Sequence, residues 1–253
     1  MNLSLEGKIA LITGSTGQLG RTMARTLAES GADIALHYRS NQKLASSLAD
    51  EIRSLGRRCI TIQADITKEN DVMAMRDTVA QALGQPDIVI NNAVAQYEWT
   101  TILEQATEDF RGQFETCTMQ SVLTAKAFLP AMTEKKAGRF IGINTECSMM
   151  NNPGSGAYAA AKRGMDGIYR VLAKEVGASG VTVNQVAPGW TISDHDRETG
   201  TEDSPDYQAK VPLNRRGTDQ EIANAVLFLA SDLASFITGV YLPVCGGLVM
   251  PAI

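Results

Sequence analysis

Short runs of apolar, often β-branched residues alternate with longer polar-apolar stretches from one end of the chain to the other. The short runs predict strands near 8–13, 32–38, 58–63, 87–91, 139–144, 181–186 and 240–244, and the longer stretches predict helices in most of the intervals. This alternation is typical of βαβ units. We therefore expect an α/β fold, with one doubly wound parallel sheet formed by a single domain over residues 1–253.

Glycines mark the predicted boundaries between helices and strands. Each of five glycines follows a helical stretch and precedes a strand: Gly31, Gly56, Gly84, Gly138 and Gly180. Many helices end at a residue in the left-handed conformation, which glycine adopts at the least cost, so we expect all five to be helix C-caps.

The segment 190–210 departs from the pattern. It is rich in acidic residues between 194 and 206 and also contains Gly200 and Pro205. We expect a mobile loop with short helices rather than a strand. Because the segment follows a strand end, it is a candidate substrate cover. The alternative is an ordinary solvated acidic surface.

Composition narrows the class of protein. The net charge of −5, without a basic stripe, argues against a nucleic-acid partner. No apolar run reaches the ~18 residues of a membrane span and no signal peptide opens the chain, so we expect a cytoplasmic protein without a membrane partner. Scattered cysteines and only two histidines predict reduced thiols and no metal site.

A glycine-punctuated turn follows the first predicted strand and opens a helix that begins near Gln18. The turn runs from Gly14 to Gly20, and its backbone N–H groups and the positive helix end are suited to a pyrophosphate. Asp65 follows the third strand and Asn92 the fourth, which places both at the same carboxyl edge of the sheet. We predict a dinucleotide site there; a tight turn without a ligand is the alternative.

The end of the second strand bears on the choice of dinucleotide. It reads Tyr38-Arg39-Ser40 and lacks the acidic residue that would bind a ribose 2′-hydroxyl. Arg39 and Ser40 are suited to a 2′-phosphate, so NADP is favoured and NAD stays possible. The alternative for Arg39 is a solvated strand end.

Tyr158 and Lys162 stand one helical turn apart, and Thr145 precedes the tyrosine by thirteen residues. On one helix face, the ammonium of the lysine can favour the phenolate and poise the tyrosine for proton transfer near neutral pH. With the glycine turn upstream, this set predicts a redox enzyme. By itself, the pair is equally typical of an exposed helix.

The chain resembles the short-chain dehydrogenase/reductase family over nearly its whole length, in the form with about 250 residues. The blocks that carry the resemblance are Thr13-Gly14 to Gly20, Asp65-Ile66-Thr67, Asn91-Asn92-Ala93, Gly138 to Thr145, Tyr158 to Lys162, Val183 to Gly189, Arg216 to Ala223, Phe228 to Asp232 and Thr238 to Gly247. The resemblance implies a seven-stranded Rossmann-type sheet, hydride exchange between a nicotinamide cofactor and an alcohol or carbonyl carbon, and a homotetramer or homodimer joined through long helices containing 108–134 and 155–178.

The resemblance also assigns roles to residues. Tyr158 would be the general acid in reduction and the base in oxidation, Lys162 would lower its pKa and hold the nicotinamide ribose, and Thr145 would stand for the usual Ser. The implied cofactor-binding residues are Gly14, Ser15, Gly17, Gln18, Leu19, Gly20, Tyr38, Arg39, Ser40, Asp65, Ile66, Asn92, Ala93, Val94, Tyr158, Lys162, Pro188, Gly189 and Thr191. The expected substrate pocket comprises Tyr97, Trp99, Met149, Met150 and Trp190.

Four further positions depart from the family pattern. Cys117 replaces an Asn that holds a relay water, and Gln113 or Gln120, one turn away on either side, is a candidate replacement amide. Gln18 stands at the usual second Gly, so the phosphate turn is expected to shift by one residue. Val94 replaces a Gly near the nicotinamide. Cys245 replaces an Asp, which we interpret as a structural variation.

Two functions fit these residues. The first is an NADP(H)-dependent reductase or dehydrogenase of a small or medium carbonyl or alcohol compound, similar to 3-oxoacyl-carrier-protein reductases and to sugar and alcohol dehydrogenases. Ser179 stands where carrier-protein reductases commonly have Arg, so a free small molecule is the favoured substrate. The second, based on positions 18, 94 and 117, is a cofactor-binding redox sensor or partner subunit with weak or no catalysis. The complete Thr145, Tyr158 and Lys162 set favours the enzyme.

Overall fold

A computed structural model of the chain describes residues 3–251. Seven strands form one sheet in the order β3-β2-β1-β4-β5-β6-β7, and every pair of neighbours is parallel. The strands are β1 Ile9–Ile12, β2 Asp33–Tyr38, β3 Cys59–Gln63, β4 Ile88–Asn91, β5 Gly138–Ile143, β6 Val181–Pro188 and β7 Tyr241–Val244. The predicted doubly wound α/β fold is confirmed.

Helices connect the strands and cover both faces of the sheet. They are α1 Gln18–Glu29, α2 Gln42–Ser54, α3 Glu69–Ala82, α4 Thr107–Gln113, α5 Gln120–Lys135, α6 Cys147–Met150, α7 Gly156–Val176, α8 Asp194–Thr199, α9 Pro205–Gln208 and α10 Asp219–Ala230. A π-helical turn, Phe114–Met119, joins α4 to α5. No helix in the described range 3–251 has the length and apolar character that crossing a bilayer demands.

The core lies in two layers because successive residues of a strand point to opposite faces. Ala10 and Ile12 of β1 pack with α1, α2 and α10, whereas Ile9 and Leu11 pack with α3, α5 and α7. Burial on both faces explains why the strands have near-continuous apolar runs, as expected for a parallel sheet.

Four of the five expected glycine caps have the positive φ that a left-handed cap requires; Gly138 does not. Lys136 takes that conformation instead, with φ 56°, and Gly138 begins β5. A Cβ at Gly138 would lie 2.6 Å from the sulfur of Met132, so glycine is needed there for close packing of α5 on the sheet.

Candidate functional site

The turn between β1 and α1 is built around a buried histidine. The N–H of Gly14 donates to Nδ1 of His37 (3.0 Å), and Nε2 of His37 lies 3.1 Å from the carbonyl of Ala64. These contacts place the proton on Nε2, and burial lowers the pKa of the ring. His37 was not among the residues predicted from the sequence, because a lone histidine at the end of an apolar strand carries no specific signal for such a contact.

A cavity of about 440 Å³ opens over this turn, and we call it the turn cavity. It lies at the carboxyl edge of β1 and β4, where the strand order reverses. No side chain within 3–251 caps α1 at Gly17, so the first N–H groups of that helix are left for a ligand or water. The predicted residues that line the cavity are Gly14, Gly17, Gln18, Leu19, Arg39, Ser40, Asp65, Ile66, Asn92, Ala93 and Val94.

Three predicted residues support the turn cavity from below instead of lining it. Ser15, Gly20 and Tyr38 are buried. Ser15 donates to the carbonyl of His37 through both its N–H and its hydroxyl, at 2.9 and 3.0 Å. A Cβ at Gly20 would come within 2.4 Å of the carbonyl oxygen of Gly14, so a larger residue would push the turn open.

Asp65 and Arg39 give the far end of the turn cavity its charge. The hydroxyl of Thr67 donates to Asp65 at 2.7 Å and holds the pKa of that carboxyl below its usual value. The guanidinium of Arg39 makes no hydrogen bond or salt bridge within the described part of the chain and lines the same cavity. It is therefore available to an anion.

Gln18 reaches away from the turn and ties α1 to the segment 190–210. Its Nε2 donates to the carbonyl of Ile192 (2.8 Å), and its Oε1 accepts the N–H of Asp194 (2.9 Å). Arg21 adds a salt bridge to Asp194. A glycine at position 18 would leave these backbone groups without that partner.

A second cavity, of about 740 Å³, adjoins the first, and we call it the central cavity. Gln18, Leu19, Asn92 and Val94 line both cavities. Thr145, Tyr158, Lys162, Pro188, Gly189, Thr191, Trp99, Met150 and Trp190 also line the central cavity. Of the expected pocket residues, Met149 and Tyr97 are not part of the lining; the hydroxyl of Tyr97 instead accepts the N–H of Tyr158 at 3.0 Å.

The structure brings Thr145, at the end of β5, together with Tyr158 and Lys162 on α7. The hydroxyl of Thr145 faces the Tyr158 phenol and acts to lower its pKa. The ammonium of Lys162 donates to the carbonyl of Ile143 at 2.5 Å and lies 5.6 Å from the centre of the Tyr158 ring. The predicted spatial proximity of the three side chains is therefore present.

The pKa of Tyr158 is shifted in the direction opposite to the one expected from the sequence. Burial raises the pKa of the Tyr158 phenol, and the hydroxyl of Thr145 only partly opposes it. Burial also lowers the pKa of Lys162. The reason is that both groups are removed from water while the ammonium points at a carbonyl instead of the phenol oxygen, so desolvation outweighs the attraction.

Cys117 is completely buried in the π-helical turn and is not part of the lining of the central cavity. Its thiol lies 3.8 Å from Oε1 of Gln113, whose Nε2 donates to the carbonyl of Ala95 (2.8 Å). Gln120 donates to the carbonyl of Ala93 (2.5 Å) and accepts the hydroxyl of Thr13. Both glutamine amides thus hold the π-helical turn and its flanks against the loop that follows β4.

The segment 190–210 forms the short helices α8 and α9, as expected. Arg216 is almost fully buried and holds the segment: it donates to Asp196 (2.7 Å) and to four backbone carbonyls of the segment. Its guanidinium also lies 4.4 Å from the ring centre of Trp190. These contacts lower the pKa of Asp196, chiefly through the bond from Arg216.

Several polar residues that line the central cavity were not predicted from the sequence as site residues: Glu146, Cys147, Asn152, Ser204, Asp206, Tyr207 and Lys210. Glu146 had a usable signal, because an acidic residue directly follows Thr145 after an apolar strand. The others come from the segment 190–210 or from α6 and its flank, where no periodic pattern predicts the direction of a side chain.

Comparison with known proteins identifies the family. A family model described as enoyl-(acyl carrier protein) reductase matches residues 15–249. The chain belongs to the short-chain dehydrogenase/reductase family. Its curated relatives include the 3-oxoacyl-(acyl-carrier-protein) reductase FabG of Escherichia coli K12, 36% identical over 98% of this chain and 100% of the relative. The same enzyme of Staphylococcus epidermidis RP62A is 33% identical over 96% and 99% of the two chains.

Among solved structures, the short-chain dehydrogenase/reductase fold of this chain is similar to that of a 7α-hydroxysteroid dehydrogenase complexed with NADH and 7-oxo glycochenodeoxycholic acid. The TM-score is 0.88 at 31% identity, and the match covers 97% of this chain and 96% of the other. Members of the family are oxidoreductases that use a nicotinamide cofactor. The uncapped start of α1, the close-packed Gly20 and the adjoining cavities fit such a cofactor.

Proposed function

We propose that the protein is an NADP(H)-dependent oxidoreductase that transfers a hydride between the nicotinamide and the carbonyl or alcohol carbon of a small or medium substrate, similar to 3-oxoacyl reductases. One observation carries the proposal: Thr145, Tyr158 and Lys162 line a cavity that shares a wall with the turn cavity. A substrate carbon and a nicotinamide can therefore meet beside a proton donor.

Each member of this set has a distinct task. When bound, the cofactor supplies or accepts the hydride. The hydroxyl of Thr145 orients the substrate oxygen, and Tyr158 gives it a proton in reduction or removes one in oxidation. Lys162 keeps N–H groups beyond its bond to Ile143, and these hold the cofactor ribose. Its ammonium lies 5.6 Å from the centre of the Tyr158 ring, and burial keeps that phenol protonated. Segment 190–210 covers the substrate.

The preference for NADP rests on Arg39 and Ser40, which line the turn cavity at the end of β2. The guanidinium of Arg39 makes no hydrogen bond or salt bridge within residues 3–251 and suits a 2′-phosphate. NAD is the alternative, because the similar hydroxysteroid dehydrogenase was solved with NADH.

An apolar groove between α5 and α7 supports a homotetramer or homodimer. Leu129, Ile168 and Val171 are among its lining, and Val171 is 55% exposed. Covering this groove with a second copy would remove apolar surface from water. We place the assembled enzyme in the cytoplasm. Its molar mass in solution, by light scattering, is expected to be two or four times the 27.1 kDa of one chain.

The competing proposal, a cofactor-binding protein with weak or no catalysis, is supported by the burial that disfavours the ionised forms of both Tyr158 and Lys162. A substrate panel separates the two. The purified protein is assayed with NADPH and NADH against 3-oxo esters and oxosteroids, and with NADP and NAD against sugars and secondary alcohols. Turnover faster with NADPH supports the enzyme; cofactor binding without turnover on the whole panel supports the alternative.

A further inference from the structure

A carboxylic acid lies buried beside the candidate reaction centre without a role in it. Glu146 directly follows Thr145 and is only 3% exposed. Its Oε2 has no hydrogen-bond partner among the described residues, and burial raises the pKa of the group. A buried acid with one unused oxygen destabilises a fold, and an apolar residue would avoid that cost. A destabilising buried carboxyl at this position indicates that Glu146 has a functional role.

The backbone holds Glu146 firmly on both sides. Its N–H donates to the carbonyl of Pro188 at the end of β6 (2.9 Å), and its carbonyl accepts the N–H of Met149 in α6 (2.8 Å). The carboxyl is therefore presented from the rigid edge of the sheet. It does not depend on a flexible loop for its position.

The other oxygen of the same carboxyl meets the segment 190–210. Oε1 accepts the hydroxyl of Tyr207 (2.9 Å) and the N–H of Trp190 (3.2 Å). The N–H of Trp190 also donates to the Tyr207 oxygen at 2.8 Å, which closes a three-membered network. Gly189 leaves room for it, since a Cβ there would lie 2.8 Å from the Tyr207 oxygen and 3.0 Å from Oε2.

Trp190 and Tyr207 form one wall of the central cavity, which we call the aromatic wall. Their rings meet edge to face, with centres 5.4 Å apart, and Arg216 lies over the Trp190 ring. Arg216 fixes the outer side of the aromatic wall. Glu146 connects the wall to the backbone that follows β5, where Thr145 lies. Although Glu146 is part of the lining of the central cavity, its carboxyl oxygens are not offered to a substrate: Oε2 has almost no accessible surface, and Oε1 is bonded to Tyr207 and Trp190.

We propose that Glu146 is a positioning residue that fixes the aromatic wall relative to Thr145 and thereby sets the affinity for the substrate without taking part in proton or hydride transfer. The proposal rests on the central cavity being the substrate pocket of the proposed function. It does not require the substrate to be known, because the position of the wall can be measured directly.

The chain has only two tryptophans, so Trp99→Phe leaves Trp190 as the sole indole and a reporter of the wall. In that background, acrylamide quenching is compared for the parent, Glu146→Ala, Tyr207→Phe and Glu202→Gln. The last is the matched control: it removes a carboxylate from the same segment, and the bond from Arg216 uses only the backbone carbonyl of Glu202. We expect the quenching constant to rise about twofold or more in the first two variants, because each loses a hydrogen bond that holds the wall, and to stay unchanged in the control.

Turnover is measured with Trp99 intact, using ethyl acetoacetate as the carbonyl probe. Loss of one such hydrogen bond, ~1 kcal/mol, corresponds to an increase in KM of about fivefold, with kcat within about twofold of the parent. Unchanged quenching in both variants overturns the proposal, as does a fall in kcat with KM unchanged. If Glu146→Ala does not fold, Tyr207→Phe decides alone, because the Tyr207 ring and its packing remain. If no protein turns over this probe or any other substrate of the panel, the proposed function fails, whereas the quenching result still decides the role of Glu146.

Discussion

Replacing Cys117 with the asparagine usual in the family is the most informative single change. The thiol is completely buried in the π-helical turn, where its contact is the oxygen of Gln113 at 3.8 Å. An asparagine Nδ2 can donate to that oxygen and keep one contact. Its own carbonyl oxygen and second N–H need further partners in this buried site, and the nearby Lys162 ammonium already donates to the carbonyl of Ile143.

The expected loss of stability in Cys117→Asn follows from the number of buried polar atoms that it adds without a partner. An unsatisfied buried polar group costs about 1–3 kcal/mol, and the added volume makes the site tighter still. For a chain of this length, ~1 kcal/mol shifts the melting temperature by about 2–4 °C, so we expect Cys117→Asn to melt about 2–12 °C lower. Turnover should not rise, because position 117 does not line the central cavity and both neighbouring glutamines are bonded elsewhere.

The assay pairs a thermal melt with steady-state kinetics, and Cys117→Ser is the matched control. Serine is similar in size and keeps one donor for Gln113, so its melting temperature should fall by less than that of the asparagine variant. A higher turnover number for Cys117→Asn at undiminished stability would refute this reasoning, because it would show that an asparagine at position 117 holds a relay water that the thiol does not.

Three further predictions concern Lys162, Arg39 and Glu146. Lys162→Ala should lower both kcat and cofactor affinity, since the ammonium serves the phenol and the ribose; a loss of kcat alone, with the Kd from fluorescence titration unchanged, would contradict the ribose contact. Arg39→Ala should weaken NADPH binding by about 1–3 kcal/mol and leave NADH nearly unaffected, and equal losses for both would contradict the NADP preference. Burial raises the folded-state pKa of Glu146 above its unfolded value of 4.5, so its stabilising contribution is complete below the unfolded pKa and is lost as pH rises through the folded pKa. The melting temperature of Glu146→Gln relative to the parent should therefore rise as the pH increases above about 4.5, and a difference that does not change with pH would contradict the buried acid.

The sheet could be predicted from the sequence because burial on both faces leaves a strong apolar signal on every strand. The π-helical turn could not, since it depends on contacts between distant segments, such as Gln120 with Ala93. The same limit applies to Glu146, whose partner Tyr207 lies 61 residues away.

Part of the candidate site could likewise be predicted from the sequence, and part of it could not. The spacing of Tyr158 and Lys162 predicts that they share a helix face, and they do. It does not specify the acceptor that the ammonium finds, which is the carbonyl of Ile143, nor the desolvation that raises the pKa of the phenol. His37 was missed because a lone histidine in an apolar strand usually belongs to the core, whereas here it holds the N–H of Gly14.

The central claim, that Tyr158 transfers the proton while a nicotinamide exchanges the hydride, is tested most directly by Tyr158→Phe. Tyr169→Phe is the control, because it removes another buried phenol from α7 whose hydroxyl bonds Asn91 (2.8 Å) and which does not line the central cavity. The measurement is kcat with the best substrate of the panel, together with the Kd for NADPH. The account predicts that kcat of Tyr158→Phe falls at least ~100-fold while the Kd stays within about twofold and Tyr169→Phe retains most of its turnover. Turnover of Tyr158→Phe above about a tenth of the parent would contradict the account, since only the proton donor has been removed.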